Sequence, residues 1–341
     1  MVDILRNPVD DRAVWKVADH ADPNTWIHVF TPAEIAELET AAGQVIADGR
    51  SPTGFDKQAF QLPTLGAVLA HQLDELADGR GFVFFRGLDV GRYDRVTLQA
   101  IYWGICAHLG EGISQNAAGE LLSAVTDYGD KFEGDPYLHN IRLHRTTAEI
   151  HPHTDSCDYV ALLCERPAKK GGESAVVSAL AMYNEILATH PEYLDPLCEG
   201  FHLDLIGKGT KAQELSFHRI PVFSWFGGKM SARFNKRQIE LGAEKHDGGL
   251  DPLSQAAIDY VREISMRDEF RLAMEFRPGD IQILNNRVTF HARTAVEDFI
   301  EPEKKRLLWR IWLNAGRARP MAPEFANQLN TGARGGVSRR A

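Results

Sequence analysis

The chain has 341 residues, of which 44% are hydrophobic and 25% are charged, and its formal net charge is −9. This composition is typical of a soluble globular protein, and the negative charge argues against nucleic acid or an anionic membrane surface as the main partner. Because its four cysteines form no C-x-x-C pair and it has no apolar signal core or uncharged run of membrane-spanning length, we expect a reducing, cytoplasmic location.

The first third of the chain carries helical patterns around one β-like run. Residues 31–49 predict a helix with a capping box that begins at Thr31. Residues 64–78 and 93–109 also have helical periodicity. Between these two helices, residues 79–88 form a short β-rich run framed by glycines, which predicts a buried strand.

After residue 150, short β-like runs alternate with turns. Residues 219–235 predict a hairpin with a Gly-Gly turn, and residues 251–264 predict a helix that begins with a cap and a proline. Further strands are expected around 280–293 and 305–313.

Helices followed by many short strands predict a mainly β fold with flanking helices, built as a β-sandwich or a closed barrel. We expect a single domain over residues 1–315, with a helical part at 1–110, core strands from about 80–315 and an insertion at about 195–275. Residues 316–341 hold several arginines, glycines and alanines and predict a flexible C-terminal tail. The sequence leaves the oligomeric state open, a homo-oligomer included.

The stretch HPHTDSCDYVALLC, residues 151–164, places ionisable groups directly before an apolar run. His153 and Asp155 are two positions apart, so on a strand both side chains share one face. An imidazole and a carboxylate on that face supply two ligands of the 2-His-1-carboxylate triad that binds Fe(II). The alternative is a polar strand end, in which His153 is hydrogen-bonded and Asp155 caps a turn.

A further histidine follows far downstream. Residues 277–293 contain a Pro-Gly turn, an apolar strand, the polar pair Asn285 and Asn286, and then His291 in a second β-like run. In a barrel, two non-adjacent strands bring their inward faces together, so His291 is a candidate third ligand.

The strand region 305–313 carries two arginines on one face. With a period of two, this face holds Arg306, Leu308, Arg310 and Trp312, and the residues between them form an apolar face. An arginine held between bulky apolar groups is costly unless an anion meets it. A dicarboxylate cosubstrate or a protein carboxylate would each supply that anion.

The order H-x-D, KKGGES, GD-x-x-x-x-NN-x-x-x-x-H and R-x-x-x-R resembles the taurine dioxygenase-like (TauD/TfdA) Fe(II)/2-oxoglutarate-dependent oxygenases. The early run GFVFFRGL is also similar to that family, and the resemblance covers roughly residues 80–315. It implies a double-stranded β-helix (jelly-roll, cupin-like) core and an Fe(II) centre. It also implies that O₂ oxidises a substrate while 2-oxoglutarate is decarboxylated to succinate and CO₂.

Carried over position by position, the resemblance implies that His153, Asp155 and His291 bind the iron. It implies that Arg306 binds the distal carboxylate of 2-oxoglutarate with support from Ser174. Arg310 matches a position that faces the substrate or the carboxylate of the cosubstrate.

Three questions stay open on these residues. The longer segment before Arg306 leaves open whether Arg306 and Arg310 exchange roles. A register in which His151 is a ligand is also open, although the family spacing H-x-D favours His153. A carboxylate at Asp155 favours hydroxylation, desaturation or cleavage over halogenation, because related halogenases have a small residue there.

The substrate pocket is expected to draw on residues 112–125, 137–145 and 203–240. The candidate substrate residues are Gln115, Asn140, Arg142, Trp225 and Arg310, each with an alternative as a loop or rim residue. If Arg310 faces the substrate, the substrate should carry a carboxylate, sulfonate or similar anion, as a small amino acid or organic acid does.

We therefore predict an oxidoreductase, an Fe(II)- and 2-oxoglutarate-dependent dioxygenase that hydroxylates an unactivated C–H bond of a small anionic or amino-acid-like substrate. A zinc hydrolase would use the same three ligands, but it would need a general base and would not need Arg306. A third interpretation is a catalytically inactive, cupin-like binding protein, against which the intact triad and Arg306 both argue.

Overall fold

The computed structural model describes residues 4–129 and 145–340 of the chain. Its helices are α1 (Pro32–Ala47), α2 (Leu65–Ala77), α3 (Arg95–Ala107), α4 (Ala179–Thr189), α5 (Leu194–Glu199), α6 (Lys236–Asp247), α7 (Pro252–Met266) and α8 (Pro323–Ala326). Its strands are β1 (Ile27–Val29), β2 (Phe82–Arg86), β3 (Gly110–Ile113), β4 (Leu122–Val125), β5 (Ile150–His153), β6 (Tyr159–Arg166), β7 (Lys170–Gly171), β8 (Ser174–Ser178), β9 (Phe223–Phe226), β10 (Lys229–Ala232), β11 (Arg271–Met274), β12 (Ile281–Asn285), β13 (Thr289–Arg293), β14 (Val296–Glu297) and β15 (Leu307–Ala315). Among the described helices, none has both the length and the apolar character needed to cross a membrane.

The predicted helices form where their sequence signals place them. At the start of α1, the Thr31 hydroxyl accepts a hydrogen bond from the Glu34 backbone N–H, and the Glu34 carboxylate accepts one from the Thr31 N–H. At the start of α7, the Asp251 carboxylate accepts hydrogen bonds from two backbone N–H groups of the first turn. These contacts satisfy N–H groups that a helix leaves without partners at its N-terminus.

Two sheets form the core of a jelly roll. The larger has the strand order β1-β2-β12-β6-β15-β3, with β4 also paired to β15, and the smaller has the order β11-β8-β13-β5. Within these two sheets β1 and β2 pair in parallel and the other described pairs are antiparallel. The mainly β fold with flanking helices and a cupin-like core is therefore confirmed.

Strand β15 shows how the sheet divides the apolar residues between two cores. Leu308 and Trp312 are buried in the core between the two sheets. Ile311 and Leu313 are buried in a second core, which the outer face of the larger sheet forms with α1, α2 and α3. The predicted period of two in this strand is confirmed, because alternate side chains point to opposite faces.

The residues after β12 carry the chain from one sheet to the other. Strand β12 lies in the larger sheet and β13 in the smaller, so the Asn285–Asn286 corner joins the two layers. The insertion at about 195–275 supplies the β9–β10 hairpin, α6 and α7, and the hairpin turns at the predicted Gly-Gly pair.

The C-terminal segment differs from the predicted flexible tail. Phe325, Leu329 and Val337 are buried in the core between the sheets. The Arg334 guanidinium donates hydrogen bonds to Asp158 at 2.7 Å and to the Ala315 carbonyl at 2.6 Å. The tail prediction is wrong because a few apolar residues and one arginine, spread through a polar segment, all find partners on the core. The division into a single domain at 1–315 stays a prediction.

Candidate active site

The three predicted metal ligands meet at one end of the jelly roll. His153, at the end of β5, lies directly opposite His291 of β13 in the antiparallel register, and the two ring centroids are 4.3 Å apart. Asp155 follows two residues after His153, and its backbone N–H donates a 3.0 Å hydrogen bond to Oδ1 of Asn286. One ligand atom of each of the three residues lies within 4.8 Å of the others. The register of β5 and β13 thus joins residues that are far apart in the chain.

Both imidazoles are held in the neutral form that a metal ligand needs. His153 Nδ1 donates a 2.9 Å hydrogen bond to the His151 carbonyl, which leaves the lone pair on Nε2. Burial lowers the pKa of His153, and burial together with the neighbouring His153 ring lowers the pKa of His291 to about 3. His291 Nδ1 is buried and makes no hydrogen bond to any described residue.

His151 lies outside the ligand cluster that His153, Asp155 and His291 form. Its Nε2 is 3.2 Å from Nη2 of Arg262, on α7, and its backbone carbonyl is the group that fixes the His153 ring. The structure therefore gives His151 a supporting place beside His153 rather than a place among the grouped ligand atoms.

The Asp155 carboxylate is ionised and oriented by its neighbours. Trp312 Nε1 donates a 2.9 Å hydrogen bond to Asp155 Oδ2, and Arg310 Nη1 lies 3.6 Å from the same oxygen. Burial alone would raise the pKa of Asp155, but the Arg310 charge and the two imidazoles outweigh burial and hold this pKa well below its ordinary value. Two neutral imidazoles and one carboxylate are the donor set of a facial triad for Fe(II), so the residues fit such an ion.

A cavity of about 830 Å³ opens from this cluster. Gln115, Ser174, Arg306 and Arg310 line it together with the three candidate ligands. Its outer wall comes from the insertion, where Ile206 and Lys208 lie on a loop and further lining residues lie on α6 and α7. Two of the three predicted pocket segments, 112–125 and 203–240, thus contribute to the wall.

Arg306 is a buried cation whose charge is offset only in part by a described acid, the Asp298 carboxylate. Its side chain makes no hydrogen bond or ion pair with a described residue, whereas its backbone N–H donates to Asp298 at 2.8 Å. Burial lowers the pKa of Arg306 to about 10. A Cβ atom on Gly172 would lie 3.1 Å from Arg306 Nε, so a side chain at 172 would crowd the guanidinium. Ser174 lines the same cavity and donates a 3.1 Å hydrogen bond to Gln282.

Gln115 lies in the cavity wall, as predicted, but both ends of its amide are engaged with the protein. Its Oε1 accepts a 2.7 Å hydrogen bond from Arg310 Nε, and its Nε2 donates to the Arg310 carbonyl at 2.8 Å and to the Leu121 carbonyl at 3.1 Å. Gln115 therefore orients Arg310.

Trp225 is not among the residues that line the cavity. It pairs with Met230 across the β9–β10 hairpin, which packs against α4 and α5 instead. Its assignment as a substrate residue is wrong because the turn signals that predict a hairpin do not show which element the hairpin packs against. Asn140 and Arg142 lie outside the described residues.

Sequence reasoning missed two residues that act on the cluster. Asn286 and Trp312 orient Asp155, and a signal for each was present, since Asn286 belongs to the polar corner and Trp312 shares a strand face with both arginines. Lys208 also lines the cavity, but it lies in a loop without a pattern that singles it out.

Comparisons with known proteins agree with this geometry. Residues 48–312 match the taurine catabolism dioxygenase TauD, TfdA family. FR-33289 synthase from Streptomyces rubellomurinus is 30% identical over 334 residues, which cover 97% of this chain and 96% of that protein. Taurine hydroxylase-like protein SAT17 from Stachybotrys chartarum is 28% identical over 298 residues, which cover 85% of this chain and 75% of that protein.

Two solved structures share the fold. Asparagine oxygenase in complex with Fe(II), 2S,3S-3-hydroxyasparagine and succinate has a TM-score of 0.65 at 16% identity and covers 85% of this chain and 93% of its own. The non-heme iron oxygenase OrfP in complex with Fe and alpha-ketoglutaric acid has a TM-score of 0.61 at 16% identity, and the match covers 84% of this chain and 93% of the OrfP chain.

Proposed function

The chain belongs to the TauD/TfdA family of dioxygenases, and from this membership we propose that it hydroxylates an unactivated C–H bond of a small anionic or amino-acid-like substrate. The protein is an oxidoreductase that uses Fe(II), O₂ and the cosubstrate 2-oxoglutarate. A cytoplasmic location and a homo-oligomeric assembly stay predictions.

One observation carries the proposal. A His-Asp-His group, with ligand atoms within 4.8 Å of one another, shares a cavity with a buried arginine that pairs with no described carboxylate. The first feature suits a divalent metal, and the second suits an anion that the protein does not itself supply. A zinc hydrolase has no use for the second feature, so the pair favours the dioxygenase.

We assign His153, Asp155 and His291 as the iron ligands. When bound, the iron supplies the oxidising chemistry, in which O₂ is consumed and 2-oxoglutarate is converted to succinate and CO₂. The protein contributes geometry: the His151 carbonyl fixes the His153 ring, and the Trp312 indole fixes the Asp155 carboxylate.

We assign Arg306 as the residue that binds the distal carboxylate of 2-oxoglutarate. A guanidinium holds a carboxylate through two parallel hydrogen bonds, and in a dry cavity such a charge-assisted pair is stronger than in water. Ser174 lines the same cavity, and its hydroxyl would support that carboxylate by turning its proton from Gln282 to the cosubstrate. The ion pair of Arg310 with Asp155 supports the view that Arg306 and Arg310 keep separate roles.

The proposed substrate class rests on Arg310 and on the related structures. Arg310 faces the cavity next to Asp155, where a substrate anion would meet it. The structural relatives were determined with hydroxyasparagine and with (3R,4R)-dihydroxy-L-Arg, both of which are amino acids. The carboxylate of Asp155 favours hydroxylation over halogenation, because halogenases of the family have a small residue at this place.

The decisive experiment measures succinate formed from 2-oxoglutarate in air with Fe(II), first without substrate and then with a panel of amino acids and small organic acids. We expect slow succinate formation alone, faster formation with the right panel member, and inhibition by Zn²⁺. Asp155→Ala should abolish turnover, whereas Asp268→Ala, an exposed aspartate, should leave it unchanged. Equal turnover in the Asp155→Ala protein and the wild type would reject the ligand assignment.

A further inference from the structure

A buried polar cluster adjoins the candidate iron ligand Asp155 but does not line the cavity. Its centre is Arg233, between β10 and α6, and its other members are Ser156, Gln238 and Gln328, all of them buried. Arg233 Nη1 donates hydrogen bonds to Ser156 Oγ at 3.0 Å and to Gln328 Oε1 at 2.7 Å. Its Nη2 donates to Gln238 Oε1 at 3.0 Å. One guanidinium thus joins the turn after Asp155 to α6 and to the C-terminal segment.

The charge of Arg233 is coupled to that of Asp155. The three side chains that accept its hydrogen bonds are neutral, so none of them offsets the cation. Burial and the neighbouring charge of Arg287 lower the pKa of Arg233 to about 9, whereas the carboxylate of Asp155 acts in the opposite direction. Buried charges are poorly screened, so this attraction extends beyond direct contact. The cation and the ligand carboxylate therefore stabilise each other in the folded chain.

The residues on both sides of Asp155 are held by two consecutive residues of the insertion. The Thr154 N–H donates a 2.8 Å hydrogen bond to the Phe234 carbonyl, and the Phe234 N–H donates to Thr154 Oγ1 at 3.2 Å. Ser156, on the other side of Asp155, accepts from Arg233. A ligand whose two flanking residues are fixed has little freedom to turn away from a metal, and such outer contacts raise metal affinity.

The C-terminal segment reaches the same turn at two places. Gln328 meets it through Arg233, and Arg334 donates directly to Asp158 at 2.7 Å. Phe325, on α8, is buried in the core between the sheets and anchors the start of the segment. The segment therefore supports the residues that follow Asp155 from outside the cavity, although it lies more than a hundred positions beyond them in the chain.

We propose that Arg233 is a positioning residue for the iron ligand Asp155, which it holds through Ser156, and that the C-terminal segment supports Arg233 through Gln328. This inference rests on the proposed function, because it requires Asp155 to bind the metal. Arg233 lines no part of the cavity and is not a member of the ligand cluster, so it acts only through the turn. The C-terminal segment thereby contributes to metal affinity as well as to the core.

The test is a titration of the metal-free full-length protein with Co(II), whose visible absorption spectrum depends on the arrangement of its ligands. We expect the dissociation constant of Co(II) to rise about tenfold to a hundredfold in Arg233→Met and by a smaller factor in Gln328→Leu. The spectrum of both saturated variants should differ from that of the wild type. Arg233→Lys keeps the charge but loses the planar fork, so its affinity should lie between those of Arg233→Met and the wild type. Gln328→Glu keeps the acceptor and should recover most of the affinity.

Ser178→Ala is the control for a loss of stability alone. Ser178 is buried, does not line the cavity and caps α4 by accepting a 3.0 Å hydrogen bond from the Ala181 N–H, so this variant should unfold at a lower temperature but bind Co(II) as the wild type does. Where Arg233→Met does not fold, Gln328→Leu decides the outcome, because it removes one acceptor of the guanidinium and leaves two.

The inference alone is overturned if the Arg233 and Gln328 variants match Ser178→Ala in Co(II) affinity and spectrum while Asp155→Ala loses the metal. If Asp155→Ala binds Co(II) as tightly as the wild type, the ligand assignment of the proposed function fails, and the inference fails with it.

Discussion

Arg310 and Gln115 form a closed pair of hydrogen bonds: Arg310 Nε donates to Gln115 Oε1 at 2.7 Å, and Gln115 Nε2 donates to the Arg310 carbonyl at 2.8 Å. Both residues are buried, so neither bond competes with bulk water. The pair fixes the plane of the guanidinium and leaves its two terminal nitrogens for other contacts. Gln115 is therefore a positioning residue, whose effect on a substrate passes through Arg310.

Replacement of Gln115 by leucine should raise KM for the substrate more than it lowers kcat. The leucine fills the space but leaves Arg310 Nε without an acceptor, and loss of such a bond to a charged group costs about 1.5–3 kcal/mol. We expect kcat/KM to fall by about tenfold to a hundredfold, measured by substrate-stimulated succinate formation. Gln115→Glu, which keeps the acceptor, should recover part of the loss. A uniform fall in kcat with unchanged KM in both variants would contradict the positioning role.

Replacement of Arg306 by leucine should separate cosubstrate binding from stability. We expect the dissociation constant of 2-oxoglutarate to rise by about a hundredfold, because removal of one partner from a buried charged pair costs about 2–5 kcal/mol. The protein free of metal and cosubstrate should be at least as resistant to thermal unfolding as the wild type, because the variant removes a buried cation whose charge the Asp298 carboxylate offsets only in part.

Arg306→Lys is the matched variant. It keeps the charge but cannot form two parallel bonds, so its affinity for 2-oxoglutarate should lie between those of the wild type and Arg306→Leu. A marked loss of thermal stability in the leucine variant would show that the guanidinium has a structural partner and would weaken its assignment to the cosubstrate.

The site residues that could be predicted from the sequence are those whose spacing follows the two-residue repeat of a β-strand. His153 and Asp155 reach the same cavity because their spacing matches the alternation of a strand, and Arg306, directly before β15, and Arg310, within it, do so for the same reason. Helix caps are equally local, so the start of α1 at Thr31 follows from residues within one turn. Patterns that lie within a few residues are visible in a single sequence.

The part that sequence reasoning did not reach depends on contacts between distant segments. Gln115 and Arg310 are 195 positions apart, and nothing in the sequence shows that the amide of one meets the guanidinium of the other. The same holds for Trp225, whose hairpin packs away from the cavity, and for Arg334, which reaches Asp158 across 176 positions. Composition describes such residues as polar or aromatic, but only the fold gives them partners.

Asp158 should control stability at acid pH. Its carboxylate accepts hydrogen bonds from Arg287 at 3.0 Å, from the Ala315 N–H at 3.0 Å and from Arg334 at 2.7 Å. Burial alone would raise the pKa of Asp158, but the two arginines outweigh burial and lower this pKa below its ordinary value of 3.8. Below pH 3.8 the unfolded chain therefore takes up this proton before the folded chain does, so the contribution of Asp158 to stability is present above pH 3.8 and is lost as pH falls through the folded-state pKa.

Asp158→Asn removes the charge that both arginines share and should lower the free energy of unfolding by about 3–5 kcal/mol at pH 7. The difference between wild type and variant should shrink as the pH falls from 5 to 2, measured by urea unfolding of the metal-free protein. Asp268→Asn, at an exposed position, should follow the wild type throughout. A difference between wild type and Asp158→Asn that stays constant over this pH range would show that Asp158 does not titrate in the way its contacts require.

Replacement of Trp312 by phenylalanine should weaken iron binding although Trp312 is not itself a ligand. Phenylalanine keeps an aromatic ring in the core beside Arg310 and Lys208. It lacks the N–H that donates a 2.9 Å hydrogen bond to Asp155 Oδ2. Loss of a partner that orients a metal ligand typically lowers metal affinity by about tenfold to a hundredfold, and we expect a fall of that size in anaerobic titration with Fe(II). Trp309→Phe is the control, because Trp309 lies on the opposite face of β15 and donates to Glu165 at 2.7 Å. Equal Fe(II) affinities in the two variants would show that the indole does not orient Asp155, and would leave the Asn286 contact with the backbone of Asp155 as the interaction that does.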